Sequence, residues 1–244
     1  MVTFLRQVRK SLLESGAARR YFIYAAGEIV LVVVGILIAL QINNWNESRN
    51  EREQERNVLH ELIENLEINV KRLDVNIERG NTDNSMADVL ITSINKNNPY
   101  SDTLDKYFPL ALNPVDEGSF ISFVGYESLK NTGFDIIQNY ELKKEIITLF
   151  EGTYKDLRAR YDRIQLSNTA LNGFIDQHFY MKASESREYA PIDYQTIVKN
   201  NRLMSWMMKL KGHRHWIAVV LLTSRTETQS ALQNIQEELE IMEK

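Results

Sequence analysis

Between Tyr21 and Ile42 the chain reads YFIYAAGEIVLVVVGILIALQI, 22 residues that carry one charge, Glu28. As a helix rising 1.5 Å per residue this run is about 33 Å long, against a bilayer hydrocarbon core of about 30 Å. Two other readings compete. A buried core helix would need a large core around the unbroken apolar residues from Ile29 to Leu40. A cleaved signal peptide also begins with basic residues and an apolar run, but this run is longer than the usual signal core. Its exit, Ala39-Leu40-Gln41-Ile42-Asn43-Asn44, offers no A-x-A-like cleavage site. The segment therefore reads as a retained transmembrane helix over 21–42, preceded by a basic segment over 1–20.

The flanks set the orientation. Arg6, Arg9, Lys10, Arg19 and Arg20 precede the span, whereas Arg49, Arg52 and Arg56 follow it among Glu47, Glu51, Glu53 and Glu55. Only Lys and Arg count in the positive-inside rule, and they place the N-terminus in the cytoplasm and the remainder outside. Tyr21 and Tyr24 at one end and Trp45 at the other fit the interfacial aromatic belts. Residues 47–244 hold 24 basic and 31 acidic residues, and this acidic body argues against nucleic-acid binding, which rests on clustered Lys and Arg. The chain has no Cys, which excludes disulfides, thiolate metal sites and a cysteine nucleophile.

The string from Tyr24 to Glu47, YAAGEIVLVVVGILIALQINNWNE, preceded by a short basic helix, resembles the start of a family of uncharacterised Bacteroidota single-span membrane proteins, a domain of unknown function. The likeness extends to Tyr126-Glu127-Ser128-Leu129-Lys130. The resemblance implies an anchor in the bacterial inner membrane and a helical periplasmic domain. It brings no reaction and no catalytic residues.

Beyond the span the sequence predicts an all-α fold. Pro99, Pro109, Pro114 and Pro191 are the only prolines, so residues 42–98, 115–190 and 192–244 lack the strongest helix breaker. Leu59, Ile63, Leu66, Val70, Leu73 and Ile77 are spaced 4, 3, 4, 3 and 4, a heptad seam in a juxtamembrane helix over 43–80 that Gly80-Asn81 closes. No breaker separates this helix from the span. A second long helix is predicted over about 135–182 on Tyr154, Leu157, Tyr161, Ile164, Asn168, Leu171, Ile175 and His178. A third runs over about 215–242 on Ile217, Leu221, Ser224, Thr228, Ala231, Ile235, Leu239 and Met242. Shorter helices fit 85–95, 119–131 and 192–208. The predicted architecture is an antiparallel long-helix bundle over 81–244, continuing from 43–80, with an irregular 96–118 connection.

Few residues carry chemistry. Glu28 lies about 10 Å into the span from Tyr21, where a lone charge costs at least a few kcal/mol and usually faces a partner helix, protein interior or water. Gly35 and Ala39 form a small-xxx-small pair on the same side and let two backbones approach closely. Together the three residues point to self-association. His60 and His178 read as structural; His213-Arg214-His215 lacks a carboxylate neighbour and the spacing of a metal site. The stretch with Trp206, Lys209, Lys211, Arg214 and Trp216 reads first as core packing and second as a membrane-surface patch. Phosphate loops, dinucleotide fingerprints and nucleophile elbows are missing, so neither catalysis nor a cofactor is expected.

Two function classes remain. One is a non-enzymatic, self-associating periplasmic scaffold or sensor-like binding protein on the lipid bilayer, with a homo-oligomer or another membrane or periplasmic protein as partner. The other is an oligomeric ion or solute pathway lined by Glu28. Ile29 to Leu40 offers no polar stripe, which ranks conduction second.

Overall fold

The computed structural model describes residues 17–113, 121–182 and 188–243, with side chains for all of these except 17–21, 24 and 165–168. The described chain is almost entirely helical. Helix α1 spans Ala17–Asn95, α2 Tyr107–Ala111, α3 Val124–Thr132, α4 Tyr140–Ile147, α5 Tyr154–His178, α6 Tyr194–Lys199 and α7 Asn201–Met242. The part up to Gln54 and the part from Glu55 onward form two units.

In the first unit, every described side chain from Ala26 to Gln54 is exposed. In the second, α1 adopts a one-sided pattern: Glu55, Val58, Leu59, Leu62, Asn65, Leu66, Asn69 and Leu73 are buried. Apolar residues at 3–4 spacing leave one face for a core and the opposite face for water.

Two clusters make up the core of this unit. The first joins Val58–Leu73 of α1 to Tyr126 and Leu129 of α3, Tyr154–Ile164 of α5 and Ile217–Leu239 of α7. The second joins Ala87, Leu90 and Ile91 of α1 to Phe108 of α2, Leu171 and Phe174 of α5 and Leu203–Leu210 of α7. This order along each helix makes α7 antiparallel to both α1 and α5. The return of the chain through 96–139 leaves α1 and α5 parallel to one another.

The helix boundaries differ from those read in the sequence. Gly80-Asn81 does not end α1, which runs on to Asn95 and absorbs the short 85–95 helix. A glycine inside a helix costs about 1 kcal/mol, whereas burying Leu90 and Ile91 in the second cluster contributes roughly 1.5–3 kcal/mol each. By the same reasoning Gly212 does not divide α7, which fuses the second half of the 192–208 helix with the third helix, while the first half forms the separate α6. Asn200 caps the start of α7, the side chain accepting from Arg202 N at 3.0 Å. The predicted 135–182 helix is in turn divided. Gly133, at φ 104°, closes α3; Phe134–Ile136 is a 3-10 turn; Asn139 caps α4; and a π-helical stretch, Thr148–Thr153, leads into α5. After α5 comes a short antiparallel pair, β1 (Phe179–Met181) and β2 (Tyr189–Pro191), in the register Phe179 to Pro191. Three-residue strands are too short to leave a period-2 signature.

Buried polar side chains fasten the 96–139 return to α1. Asn69 donates to Ser122 O at 2.9 Å and accepts from Ser122 N at 2.8 Å. Glu55 accepts from Gln138 N at 2.8 Å. Gly125 permits the closest approach: a Cβ there would lie 2.7 Å from the Glu61 carbonyl oxygen. Tyr126 then stacks on Phe150 with ring centroids 4.4 Å apart.

Candidate functional site

Glu28, Gly35 and Ala39 all lie on α1 with exposed side chains. Steps of 7 and 4 residues place them along one side of the helix, Glu28 and Gly35 only about 20° out of line at 100° per residue. A Cβ added at Gly35 meets nothing within 4 Å, so no other part of the described chain covers this position. Trp45 is 65% exposed. Tyr21 and Tyr24 belong to α1, as do Arg19 and Arg20, and their side chains lie outside the described residues, as do Arg6, Arg9 and Lys10 entirely. The 24 steps from Tyr21 to Trp45 span about 36 Å of helix, comparable with the roughly 30 Å hydrocarbon core of a bilayer.

The second group of sequence candidates does not form one surface. Lys209 lies 4.9 Å from the Trp206 ring, Lys211 pairs with Asp88 of α1, and the Arg160 guanidinium of α5 covers the Trp216 ring at 4.7 Å. Arg214 is only 4% exposed and is no part of a membrane-surface patch. The reason is register: Leu203, Met207, Leu210, Arg214, Ile217 and Leu221 are spaced 4, 3, 4, 3 and 4, so Arg214 belongs to the buried seam of α7. Of the histidines, His60 and His215 are exposed. The His178 ring lies 4.6 Å from that of Phe174, and His213 is half-buried with Nδ1 unpaired. Burial and the charge of Lys209 hold His213 below the ordinary histidine range. Among the described residues no three His, Asp or Glu side chains converge as a metal site would require.

Arg214 instead organises a polar cavity that patterning of the third helix passed over. Its Nη2 donates to the carbonyls of Leu110 at 3.1 Å, Ala111 at 3.2 Å and Asn113 at 2.6 Å. Leu110 and Ala111 are the last two residues of α2 and Asn113 follows its cap residue, so the guanidinium sits at the C-terminal end of this helix, where a cation is favourable. Asp83 of α1, 4% exposed, accepts from Asn113 Nδ2 at 2.9 Å, and its Oδ2 lies 3.9 Å from Arg214 Nε. Burial raises the Asp83 carboxyl against the opposing effects of Asn113, Arg214 and Arg79. Burial likewise lowers Arg214 against Asp83. Nε and Nη1 of Arg214 carry no hydrogen bond. A cavity of about 40 Å³ adjoins the pair, lined also by Arg79, Asn76 and Tyr161. A larger cleft of about 920 Å³ shares Arg79, Asp83 and Asn113 with it and extends past Val75, Pro109, Leu110, Ile175 and Met181. Extending the 3–4 seam of Ile217 and Leu221 upstream reaches Arg214, and that was the available signal.

Next to the cleft, Asp105 is fully buried, accepts from Tyr100 Oη at 2.7 Å and pairs with Lys182. Burial and the bond to Asp105 push the Tyr100 hydroxyl well above its ordinary range, and the same carboxylate raises Lys182. The ion pair clamps the β1–β2 hairpin onto the segment before α2.

Residues 28–105 match a family of unknown function, DUF6090. No curated protein and no solved structure matches the chain.

Proposed function

We propose that the chain is a single-span membrane anchor carrying an outer helical bundle that acts as a scaffold or sensor-like binding module, self-associated through α1 and without catalysis of its own. One observation carries this reading: from Ile29 to Leu40 an uninterrupted apolar stretch of α1 is exposed on every side, and α1 is long and apolar enough to cross a membrane. Ten of those residues are Val, Leu or Ile. At roughly 1.5–3 kcal/mol each, transfer out of water favours a lipid environment by on the order of 20 kcal/mol. Glu28 opposes this by a few kcal/mol, so the apolar term dominates. The basic residues before the span support a cytoplasmic N-terminus. The Tyr24–Glu47 motif supports a bacterial inner membrane with a periplasmic bundle.

Self-association follows from where Glu28 sits. A membrane acid gains from a partner that shields it, and Gly35 and Ala39 on the same side allow the close packing that brings one. Glu28 also favours the second reading, an oligomeric ion or solute pathway, but the residues after it supply no further polar lining. Mass photometry of the full chain in detergent tests the assignment. Gly35→Leu shifts the population toward monomer, and Glu28→Gln, which keeps a hydrogen bond, preserves most of the assembly. An unchanged oligomer in Gly35→Leu rejects the stripe as the contact face.

A further inference from the structure

We propose that α7 carries a second seam, on its outer face, through which two copies of this chain meet in parallel and in register. From Ser205 to Gln236, alternating steps of three and four residues pass through Met208, Gly212, Val219 and Leu222, and through the polar His215, Thr226, Gln229 and Gln233. All ten positions are exposed. This is a heptad pattern about 46 Å long. It lies about 200° round the helix from the buried seam of Leu210, Ile217 and Leu221. None of the ten is Asp, Glu, Lys or Arg. The other long helices present different outer faces: α1 exposes Glu61, Glu64, Glu67, Lys71 and Arg72, and α5 exposes Lys155, Asp156, Arg158, Asp162 and Arg163.

The chemistry of the stripe selects its partner. Met208, Val219 and Leu222 are each more than half exposed, so the stripe gains from being covered. Gly212 weakens the helix, and nothing in its own chain calls for it: an added Cβ meets nothing within 4 Å. On an exposed seam it lets a second backbone approach closely. In a parallel contact about a two-fold axis each residue meets its own copy, so a charge would face itself and repel. Ser, Thr, Gln and neutral His each carry a donor and an acceptor and can bond to an identical side chain. Thr226 Oγ1 donates to Leu222 O at 3.0 Å and Gln233 Nε2 to Glu237 at 2.8 Å, and the oxygens of both side chains still accept. The bordering cations are engaged within their own chain, Lys211 by Asp88, Arg225 by Asp74 and Lys209 over the Trp206 ring. A protein of different sequence is selected by complementary charges, and the stripe offers none. This contact deepens the self-association read above. It rests on the anchor, which holds two copies in one membrane with the same sense, and its residues are separate from the Glu28–Ala39 stripe.

The chain has no Cys, so single cysteines report the contact directly. Met208→Cys, Val219→Cys and Thr226→Cys are introduced one at a time into the full-length chain in its membrane and oxidised with copper phenanthroline. Glu64→Cys and Arg158→Cys, exposed on α1 and α5, serve as references. A disulfide between two copies of one residue needs their Cα atoms within about 7 Å, so all three stripe variants are expected to form the covalent dimer at least about tenfold faster than either reference. Leu222→Glu, at an exposed position where folding is unaffected, sets a carboxylate against its own copy and suppresses the Val219→Cys dimer. In a Gly35→Leu background the preference of stripe over reference persists, which separates failure of the membrane stripe from failure of this seam. Equal rates at stripe and reference positions overturn the proposal. So does a dimer at only one of the three positions, as an antiparallel contact gives, or a Val219→Cys dimer that Leu222→Glu leaves unchanged.

Discussion

Residues 29–40 and 58–77 belong to the same helix, yet their apolar side chains follow different rules. In the first stretch they cover the whole circumference and all are exposed; in the second most of them recur every three or four residues and face a core, with Ile68 and Val75 left exposed. A helix in water must hide its apolar atoms against protein, so only one face can be apolar. A helix in lipid is solvated by hydrocarbon on every side and needs no face at all. The difference teaches that the environment of each half of α1 is legible from periodicity alone, before any partner is known.

Breaking the first pattern has the largest effect. Leu31→Arg with Val34→Arg places two cations near the middle of the span, each costing about 2.5–3.5 kcal/mol. The double variant is expected to lose membrane retention in carbonate extraction while the helical signal of the bundle persists. Next is the buried face: Leu66→Ala is expected to lower bundle stability by about 2–5 kcal/mol in chemical denaturation. Leu37→Ala in the span leaves that transition unchanged. The same substitution thus separates the two halves of one helix.

The Gly125 contact gives a smaller effect on the second pattern. A side chain there meets the Glu61 carbonyl at 2.7 Å, and backbone has little room to yield. Gly125→Val is expected to cost about 1–3 kcal/mol, the range of overpacked cores, read as a lowered Tm. Smaller again is association in the membrane: Glu28→Leu should weaken it by about 1 kcal/mol, in line with polar contacts between membrane helices, measured by crosslinking yield against dilution in lipid. The smallest effect concerns pH. His213 is held below its unfolded value of 6.5 in the folded bundle, so the folded state binds fewer protons in that window. Its contribution is present above about pH 6.5 and is lost as pH falls through that value toward the lower folded one. His213→Leu should flatten the decline in Tm between pH 7 and 5.

The sequence made the seams legible because most heptad positions are apolar side chains whose burial dominates their neighbourhood. Leu59, Leu66 and Leu73 on α1, Tyr154 to Ile164 on α5, and Ile217 to Leu239 on α7 all lie in the core. The stops were less legible. Gly80, Gly152 and Gly212 are local penalties of about 1 kcal/mol, and whether a helix passes through them is decided by packing on either side. Only Gly152 coincides with a change of helical geometry, in the π-helical stretch. The stretch with Arg214 reads first as core packing and second as a membrane-surface patch, and the partners of Arg214, the carbonyls of Leu110, Ala111 and Asn113, were not legible because they lie about a hundred residues away. The one acid of the span was plain, since Glu28 stands alone among apolar residues.

The central claim is that α1 carries a membrane anchor with the bundle on the far side. Protease added to intact spheroplasts expressing the full chain, read with antibodies to both ends, tests it most directly. The account predicts digestion of residues 47–244 with a protected fragment that contains the span and the N-terminus. Protection of the bundle, or a mature N-terminus near Asn43, contradicts it.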